Sequence, residues 1–436
     1  MSFLDAPRFR AAFLVVVFFT LFASDAWRYS ISWFGFGAVV VAIVAVAVLL
    51  LVRTYRSGAW AWQELPIPLV LFLSLATVSL AWSFYPTATL LGILVTWLTV
   101  IIGAAVAVTY DWAAIVRGLS TALRLILGLS LLFELIVAVF VRRPLLPFFT
   151  LADIDSYETI PKLLYWSRNL LFEGGKIQGI VGNSSLLAMV SLVALIVFSI
   201  QLASRSVGRI AGSVWVVVAV GGILLTRSAT ITVALVMLAV VVLAILAIRR
   251  LGSRGRVGVY AALLALVAAA IVAATAFREP LLALLGKSSD LTGRLDIWSA
   301  VIALAEQRPA FGWGWVSWWI PWIPPFDTLA FESGVRQLHA HNAWIDMWFQ
   351  LGVAGIVVFG ILVASIALRS WQLAVDRPRV TPGAIEPYSA LTLLPILLLV
   401  ALLVQSVAES RLLVEYGLAL VVILAVRTKL GTRAAG

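Results

Sequence analysis

The chain has 436 residues, 63% of them hydrophobic and 12% charged, and its mean hydropathy of +1.09 excludes a soluble globular protein. The sequence contains no cysteine, which excludes disulfide bonds, thiolate catalysis and thiolate-bound metals. The formal net charge of +11 comes from arginines dispersed at predicted helix ends, which indicates membrane topology and argues against a nucleic-acid partner.

Apolar segments of about 20 residues are long enough to be transmembrane helices. Twelve such segments occur, at 9–24, 34–52, 67–83, 88–109, 118–141, 179–202, 210–226, 229–248, 257–277, 343–368, 389–408 and 412–427. Only Thr226, Arg227 and Ser228 separate the seventh segment from the eighth, so we expect a tight turn there. The sequence therefore predicts an all-α polytopic membrane protein.

The positions of the arginines and lysines predict which side of the membrane each connection faces. With the N-terminus inside, the inner segments carry seventeen cations, whereas the short outer loops hold only Arg28, Arg227 and Arg411. Cytoplasmic loops are the ones enriched in basic residues. We therefore expect an inner (plasma) membrane protein with both termini in the cytoplasm.

Two long connections are expected on the outer face. The first is an outer loop at 142–178, within a unit of nine transmembrane helices at 1–277. The second, at 278–342, is expected to be a large extracytoplasmic loop before helix 10, with interfacial helices and the active-site residues. The remaining residues, 343–436, are expected to form the last three transmembrane helices and a cytoplasmic C-terminus.

The second outer connection contains two patterns of its own. Residues 292–307 have apolar side chains at helical spacing and are followed by Pro309, so they predict a helix. The tryptophan-rich stretch 311–325 predicts an amphipathic segment in the outer membrane interface.

Few acidic residues fall within the predicted spans or form pairs. Glu134 is expected to face the interior of the helix bundle, because a carboxylate in contact with lipid is unfavourable. Asp153 and Asp155 have the spacing of the carboxylate pair with which some glycosyltransferases hold a metal. Two aspartates at this spacing are common in any polar loop, so the metal interpretation is the weaker one.

Both histidines of the chain lie just before the tenth predicted span. Side by side at a hydrophobic boundary, His339 and His341 are candidates for proton transfer near neutral pH. The alternative is that they cap an interfacial helix. The polar residues expected to support them are Asn342, Asp346, Glu409 and Arg411.

Three arginines expected on the outer face are candidates for binding a diphosphate: Arg294, Arg227 and Arg336. A planar guanidinium can donate two charge-assisted hydrogen bonds to such a group at once. Arg294 begins the predicted loop helix, where the helix dipole favours anions. The alternative is an arginine that extends to lipid phosphates, and for Arg336 or Arg411 alone this alternative is favoured.

Several motifs together resemble those of the O-antigen ligase and polysaccharide polymerase superfamily, most closely its exopolysaccharide-polymerase-like branch. They are Gly293-Arg294-x-x-x-Trp298, Gly312-x-Gly314, His339-Ala340-His341-Asn342-x-Trp344-Ile345-Asp346 and Leu351-Gly352-x-x-Gly355, with a weaker match at Gly179-Ile-Val-Gly182-Asn183. The resemblance is strongest over 290–360.

The resemblance implies a membrane glycosyltransferase that acts on the outer face of the membrane. It would move a saccharide from an undecaprenyl (polyprenyl) diphosphate carrier to a hydroxyl of a lipid or glycan acceptor. His341, directly before Asn342, would take the acceptor's proton, and the arginines would stabilise the departing diphosphate. No cofactor or metal is expected, because a diphosphate is already a good leaving group. The expected partners are the donor, the acceptor and membrane lipids, without nucleic acid.

Two other functions remain open at this point. A polymerase of the same superfamily would use the same chemistry as a ligase and differ only in its acceptor. A transporter or flippase for lipid-linked saccharides would place its charged groups along the helix interior, near the middle of the bilayer. The charged candidates of this sequence are instead expected at the outer face, which favours the enzyme.

Overall fold

The computed structural model describes residues 6–150, 154, 157–276, 294–332, 334–376, 379–381, 384–385 and 387–433. The helices of this part are α1 (Pro7–Phe22), α2 (Ser24–Arg56), α3 (Ile67–Val78), α4 (Pro86–Thr109), α5 (Trp112–Ile136), α6 (Ser184–Ala203), α7 (Arg209–Thr226), α8 (Ala229–Ala276), α9 (Arg294–Gln307), α10 (Ala343–Val375), α11 (Leu394–Ser406) and α12 (Glu415–Arg433). Two short antiparallel hairpins accompany them, β1 (Phe331–Glu332) with β2 (Val335–Arg336), and β3 (Arg379–Thr381) with β4 (Ala384–Ile385).

The helices confirm an all-α polytopic membrane protein. In the described residues, seven helices are long and apolar enough to cross a membrane: α2, α4, α5 with its extension to Val141, α6, α7, α8 as far as Gly252, and α10. Each of the twelve predicted spans falls mainly on helical residues. Large apolar side chains such as Phe34 and Ile210 are exposed on the outer faces of the helices, as contact with lipid requires.

The connections around α7 and α8 differ in kind. The predicted tight turn is confirmed, since α7 ends at Thr226 and α8 begins at Ala229, with Arg227 in the left-handed region at φ +48°. The eighth and ninth predicted spans are instead parts of one helix, α8, which bends at Gly252. Gly252 has φ +66°, which glycine adopts without a steric penalty.

The sixth predicted span starts later than expected because Glu134 of α5 holds the residues before it. The buried carboxylate accepts hydrogen bonds from the Ser167 hydroxyl at 2.8 Å and from the amides of Gln178 at 2.9 Å and Gly179 at 2.8 Å. The prediction that Glu134 faces the interior is confirmed. Helix α6 then begins at Ser184, after its N-cap Asn183.

Helix α10 is broken at Gly352, and the segment 309–314 binds to the break. Gly352 has φ +66°, and a Cβ there would lie 2.3 Å from the carbonyl of Ala310. Four backbone hydrogen bonds join the two segments: Val353 to Pro309 at 2.8 Å, Ala354 to Ala310 at 3.0 Å, Trp313 to Phe349 at 3.0 Å, and Gly314 to Gln350 at 2.9 Å. The loop therefore satisfies polar groups that a broken helix leaves unpaired.

The tryptophan-rich stretch lies inside the protein. Trp315 and Trp319 are fully buried, and the Trp315 indole donates to the Thr96 hydroxyl of α4 at 2.9 Å. Only Trp322 among the five tryptophans of 311–325 is mostly exposed. The prediction of an amphipathic segment in the membrane interface is thus wrong for these residues, because they pack between α4, α9 and α10.

Several cations that were predicted to lie inside gather at one end of the helix bundle. Arg10 donates to the carbonyl of Thr109 at 2.7 Å, and Lys429 donates to the carbonyl of Leu65 at 2.8 Å. The first contact joins α1 to the end of α4, and the second joins α12 to the residues just before α3. Which side of the membrane these ends face stays a prediction.

Candidate functional site

His341 lies in a constrained turn directly before α10. Its φ of +51° is in the left-handed region, which is unfavourable for a residue other than glycine and persists only where the surrounding structure holds it. Its amide donates to Nδ1 of His339 at 3.0 Å. The next residue, Asn342, is the N-cap of α10 and accepts from the amides of Trp344 at 3.0 Å and Ile345 at 3.3 Å. The helix start therefore fixes the backbone beneath the histidine.

Each ring nitrogen of His341 has a polar side chain within hydrogen-bond distance. Its Nδ1 lies 3.2 Å from Oε2 of Glu409, and its Nε2 lies 2.9 Å from Oε1 of Gln337. An ionised carboxylate only accepts hydrogen bonds, so Nδ1 carries a proton and donates a hydrogen bond to Glu409. The other nitrogen, Nε2, is therefore the one that can exchange a proton with a substrate.

Glu409 connects His341 to Arg294. Its second oxygen, Oε1, accepts from Nη2 of Arg294 at 3.2 Å. Burial by itself would raise the pKa of Glu409, but His341, His339 and Arg294 outweigh it and lower the pKa to about 2. The carboxylate stays ionised near neutral pH and can orient the imidazole through its Nδ1.

His339 has a different environment from His341. It is buried, its Nδ1 accepts the His341 amide, and its ring lies 4.9 Å from that of Trp318. Burial, followed by the neighbouring His341, lowers the pKa of His339 well below its usual value. His339 therefore remains neutral and supports the turn, and His341 is the better candidate for the base.

Asp346 links the turn that contains His339 and His341 to the connection between α11 and α12. It is buried, and its Oδ2 accepts from the amide of Ala340 at 3.0 Å and from the hydroxyl of Ser410. Ser410 follows Glu409 directly in the sequence. Asp346 thus determines where Glu409 lies relative to His341, which is a supporting role.

Arg411 belongs to a second ionic cluster beside the first. It pairs with Glu415, and its guanidinium lies 5.0 Å from the ring of Trp318. Glu415 also binds Arg28 at 2.7 Å, and Arg28 binds Asp25 at 3.0 Å. Burial would lower the pKa of Arg411, but Glu415 and Asp25 raise it. Sequence reasoning missed Asp25 and Glu415, whose only signal was the isolated cation Arg28 in an outer loop.

Part of the chain matches a known protein family. Residues 214–360 match the family model of O-antigen ligases. The match confirms the resemblance seen in the sequence motifs. It contains Arg294, His339 and His341, and it ends before Glu409 and Arg411. No curated protein matches the chain.

Of the three arginines predicted to bind a diphosphate, only Arg294 contacts the cluster of His339, His341 and Glu409. Arg336 is exposed and donates to the carbonyl of Pro321 at 2.7 Å. Arg227 is exposed at the end of α7, and its Nη2 lies near Gly174 of the connection 142–178, 3.3 Å from where a Cβ on Gly174 would be. The assignment of all three to the diphosphate stays a prediction.

The possible metal-ligand atoms of His339, His341 and Glu409 lie within 4.8 Å of one another, a spacing that could also hold a metal ion. Their hydrogen bonds fit a metal poorly. Nδ1 of His339 accepts a hydrogen bond, which leaves the proton on Nε2, and Glu409 already binds Arg294 and His341. The arrangement favours a hydrogen-bonded chain over a metal centre. The other metal candidates, Asp153 and Asp155, lie outside the described residues.

A largely apolar cavity of about 440 Å³ lies between α1, α2 and α4, beside the cluster of His339, His341 and Glu409. Its walls include Val17, Val41 and Leu98, and at one end it reaches Arg28 and Trp318. Because Trp318 also contacts His339, the cavity and the histidine cluster share one side chain. The cavity is suited to a hydrocarbon chain whose polar head lies near the histidines.

Proposed function

We propose that this protein transfers a saccharide from an undecaprenyl-diphosphate carrier to an acceptor hydroxyl on the outer face of the cell membrane. The O-antigen ligase domain supports a ligase- or polymerase-type function. The observation that carries the specific proposal is the continuous series Arg294, Glu409 and His341, joined by contacts of 3.2 Å. A base, the group that orients it and a cation able to bind an anion thus lie together.

In the proposed reaction, Nε2 of a neutral His341 takes the proton from the acceptor hydroxyl. The acceptor oxygen forms a bond to the anomeric carbon of the donor sugar, and the bond from that carbon to the diphosphate oxygen breaks. Its electron pair leaves with the diphosphate, whose growing charge Arg294 stabilises. Glu409 stabilises the positive charge that appears on the imidazole, as the aspartate carboxylate does for the histidine of a Ser-His-Asp triad.

The apolar cavity supports the same proposal. A polyprenyl chain needs a hydrophobic path that ends near the reacting diphosphate, and the cavity ends at Arg28 and Trp318. Trp318 lies between His339 and Arg411, at 4.9 Å and 5.0 Å. We propose that the first isoprene units of the donor occupy this cavity.

The test is transfer by purified protein with a defined lipid-linked donor and acceptor. His341→Ala is expected to lower the rate by about a hundred- to ten-thousand-fold, the usual contribution of a general base. His339→Ala is the matched control and is expected to lose much less, since that ring is neutral and buried. Near-normal transfer by His341→Ala in correctly inserted protein would contradict the proposed base.

Ligase and polymerase share this site and differ in what binds as acceptor. Cells that lack the gene should accumulate lipid-linked glycan, and the length of its chains distinguishes the two: full-length chains indicate a ligase and single repeat units a polymerase. A flippase is less favoured, because the buried acidic groups Glu409 and Asp346 lie at helix ends, where Asp346 binds Ser410 and Glu409 binds His341. Charged groups along a central path would be needed for transport.

A further inference from the structure

Gln337 covers the nitrogen of His341 that the proposed reaction uses. It directly follows strand β2, and its amide donates to the carbonyl of Ala330 at 2.9 Å, which fixes it beside the hairpin. Its side-chain oxygen, Oε1, lies 2.9 Å from Nε2 of His341. Within the described part of the chain, no other side chain forms a hydrogen bond with this nitrogen. The acceptor hydroxyl and Gln337 would therefore compete for the same position.

The carboxamide of Gln337 has a defined orientation. Its nitrogen donates to the carbonyl of Val335 at 3.1 Å, so turning the group over would place two oxygens against each other. Its oxygen consequently faces Nε2, while the Glu409 carboxylate faces Nδ1. Both ring nitrogens thus face acceptors, the pattern of a doubly protonated imidazole. A ring in this state cannot accept a proton.

We infer that Gln337 is a positioning residue that keeps His341 inactive until the acceptor hydroxyl replaces its carboxamide. This inference rests on the proposed function, in which His341 is the base. When the carboxamide leaves, the ring releases the Nε2 proton to solvent. The acceptor hydroxyl then gives its own proton to Nε2 as its oxygen bonds to the anomeric carbon and the diphosphate departs with the electron pair.

The consequence concerns water, the competing acceptor. A glycosyl donor bound alone can be hydrolysed if the base activates a water molecule. A water molecule gains little by displacing the carboxamide, whereas a bound saccharide or lipid makes further contacts that offset the lost hydrogen bond. Gln337 is half-buried, so it can move without opening the core. It therefore sets the ratio of transfer to hydrolysis.

The experiment compares Gln337→Leu with the wild-type protein in two assays. Leucine keeps most of the volume and removes both hydrogen-bonding groups. Without acceptor, hydrolysis of the lipid-linked donor is expected to rise about fivefold, which corresponds to the free energy of one lost hydrogen bond. In the presence of acceptor, the KM for the acceptor is expected to fall by a similar factor, while kcat changes little. Gln307→Leu is the matched control, because Gln307 is exposed at the end of α9 and donates only to the carbonyl of Ala303.

Two further results distinguish the role of Gln337 from the proposed role of His341 as the base. The double variant His341→Ala/Gln337→Leu is expected to show no rise in hydrolysis, since the rise needs the base. Unchanged hydrolysis and an unchanged acceptor KM in Gln337→Leu would overturn the role of Gln337, even where His341→Ala abolishes transfer. If leucine prevents folding, Gln337→Asn gives the same test, because its shorter side chain cannot reach both Val335 and His341. Normal transfer by His341→Ala would overturn the proposed function itself.

Discussion

Arg294 and Glu409 are separated by 115 residues in the sequence, yet they pair at 3.2 Å. The pair joins the start of α9 to the connection between α11 and α12. It uses one nitrogen of the guanidinium, and the described residues provide no second hydrogen-bond acceptor for this group. The carboxylate that orients His341 is thus also the one that positions Arg294.

Arg294→Lys is expected to lower the transfer rate at least about tenfold, or about 1.4 kcal/mol of transition-state stabilisation. Lysine keeps the charge but loses the planar group that can bind Glu409 and a diphosphate together. Steady-state rates with a defined donor measure the effect. Arg308→Lys serves as the control, since Arg308 lies just beyond α9 and stacks on Phe84. Wild-type rates for Arg294→Lys would assign this residue a structural role.

Glu409→Gln is expected to reduce transfer on the order of a hundredfold or more, because a neutral amide neither fixes the imidazole tautomer nor stabilises its positive charge. Glu306→Gln, an exposed position on α9, should leave the rate unchanged. Single-turnover measurements separate this loss from weaker binding of the donor. An equal loss in both variants would indicate a general effect on folding.

The low pKa of Glu409 also predicts a dependence of stability on pH. Its folded pKa is about 2, below the usual 4.5, so its contribution is complete above pH 4.5 and disappears as the pH falls toward 2. The difference in melting temperature between wild type and Glu409→Gln should therefore shrink as the pH falls from 4.5 toward 2. A difference that stays unchanged down to pH 2 would contradict the ionised state.

Gly352→Ala is expected to destabilise the protein by about 2–4 kcal/mol, because a side chain there is strained at positive φ and collides with the carbonyl of Ala310. Gly360→Ala is the matched control in the same helix. A Cβ at Gly360 meets nothing within 4 Å, so alanine should be neutral or slightly stabilising. Thermal unfolding in detergent measures both. Equal melting temperatures would show that the break tolerates a side chain.

Membrane topology can be tested with single cysteines, since the chain has none. A cysteine at Thr328, exposed in the segment before β1, should react with an impermeant maleimide in intact cells. A cysteine at Gly208, where a side chain meets nothing within 4 Å, should react only after the membrane is opened. The reverse pattern would contradict transfer on the outer face.

Much of the fold could be predicted from hydropathy, because transmembrane helices are defined by the length of their apolar runs. The helix boundaries at Thr226 and Ala229 illustrate this success. The buried position of Trp315 and Trp319 was not predicted. Tryptophan suits both the membrane interface and a protein interior, and only the partner, such as Thr96 for Trp315, distinguishes the two.

The site was predicted in part. Neighbouring residues such as His339, His341 and Asn342 could be grouped because the sequence itself places them together. Pairs such as Arg28 with Glu415, which are 387 residues apart, depend on how the helices pack, and a single sequence does not contain that information. Gln337 was missed for a different reason: glutamine has no pKa or motif that draws attention, and its role depends on which nitrogen it faces.

The break in α10 has a consequence for how the protein is made. The half-helix from Ala343 to Leu351 cannot sit in lipid by itself with its end unpaired, since unsatisfied backbone groups are unfavourable there. The segment 309–314, which supplies the missing hydrogen bonds, precedes α10 in the chain and is synthesised first. During biosynthesis it is therefore already present to bind the broken end of α10 when that helix is inserted. The turn that carries His341 would be completed only after these two segments have joined.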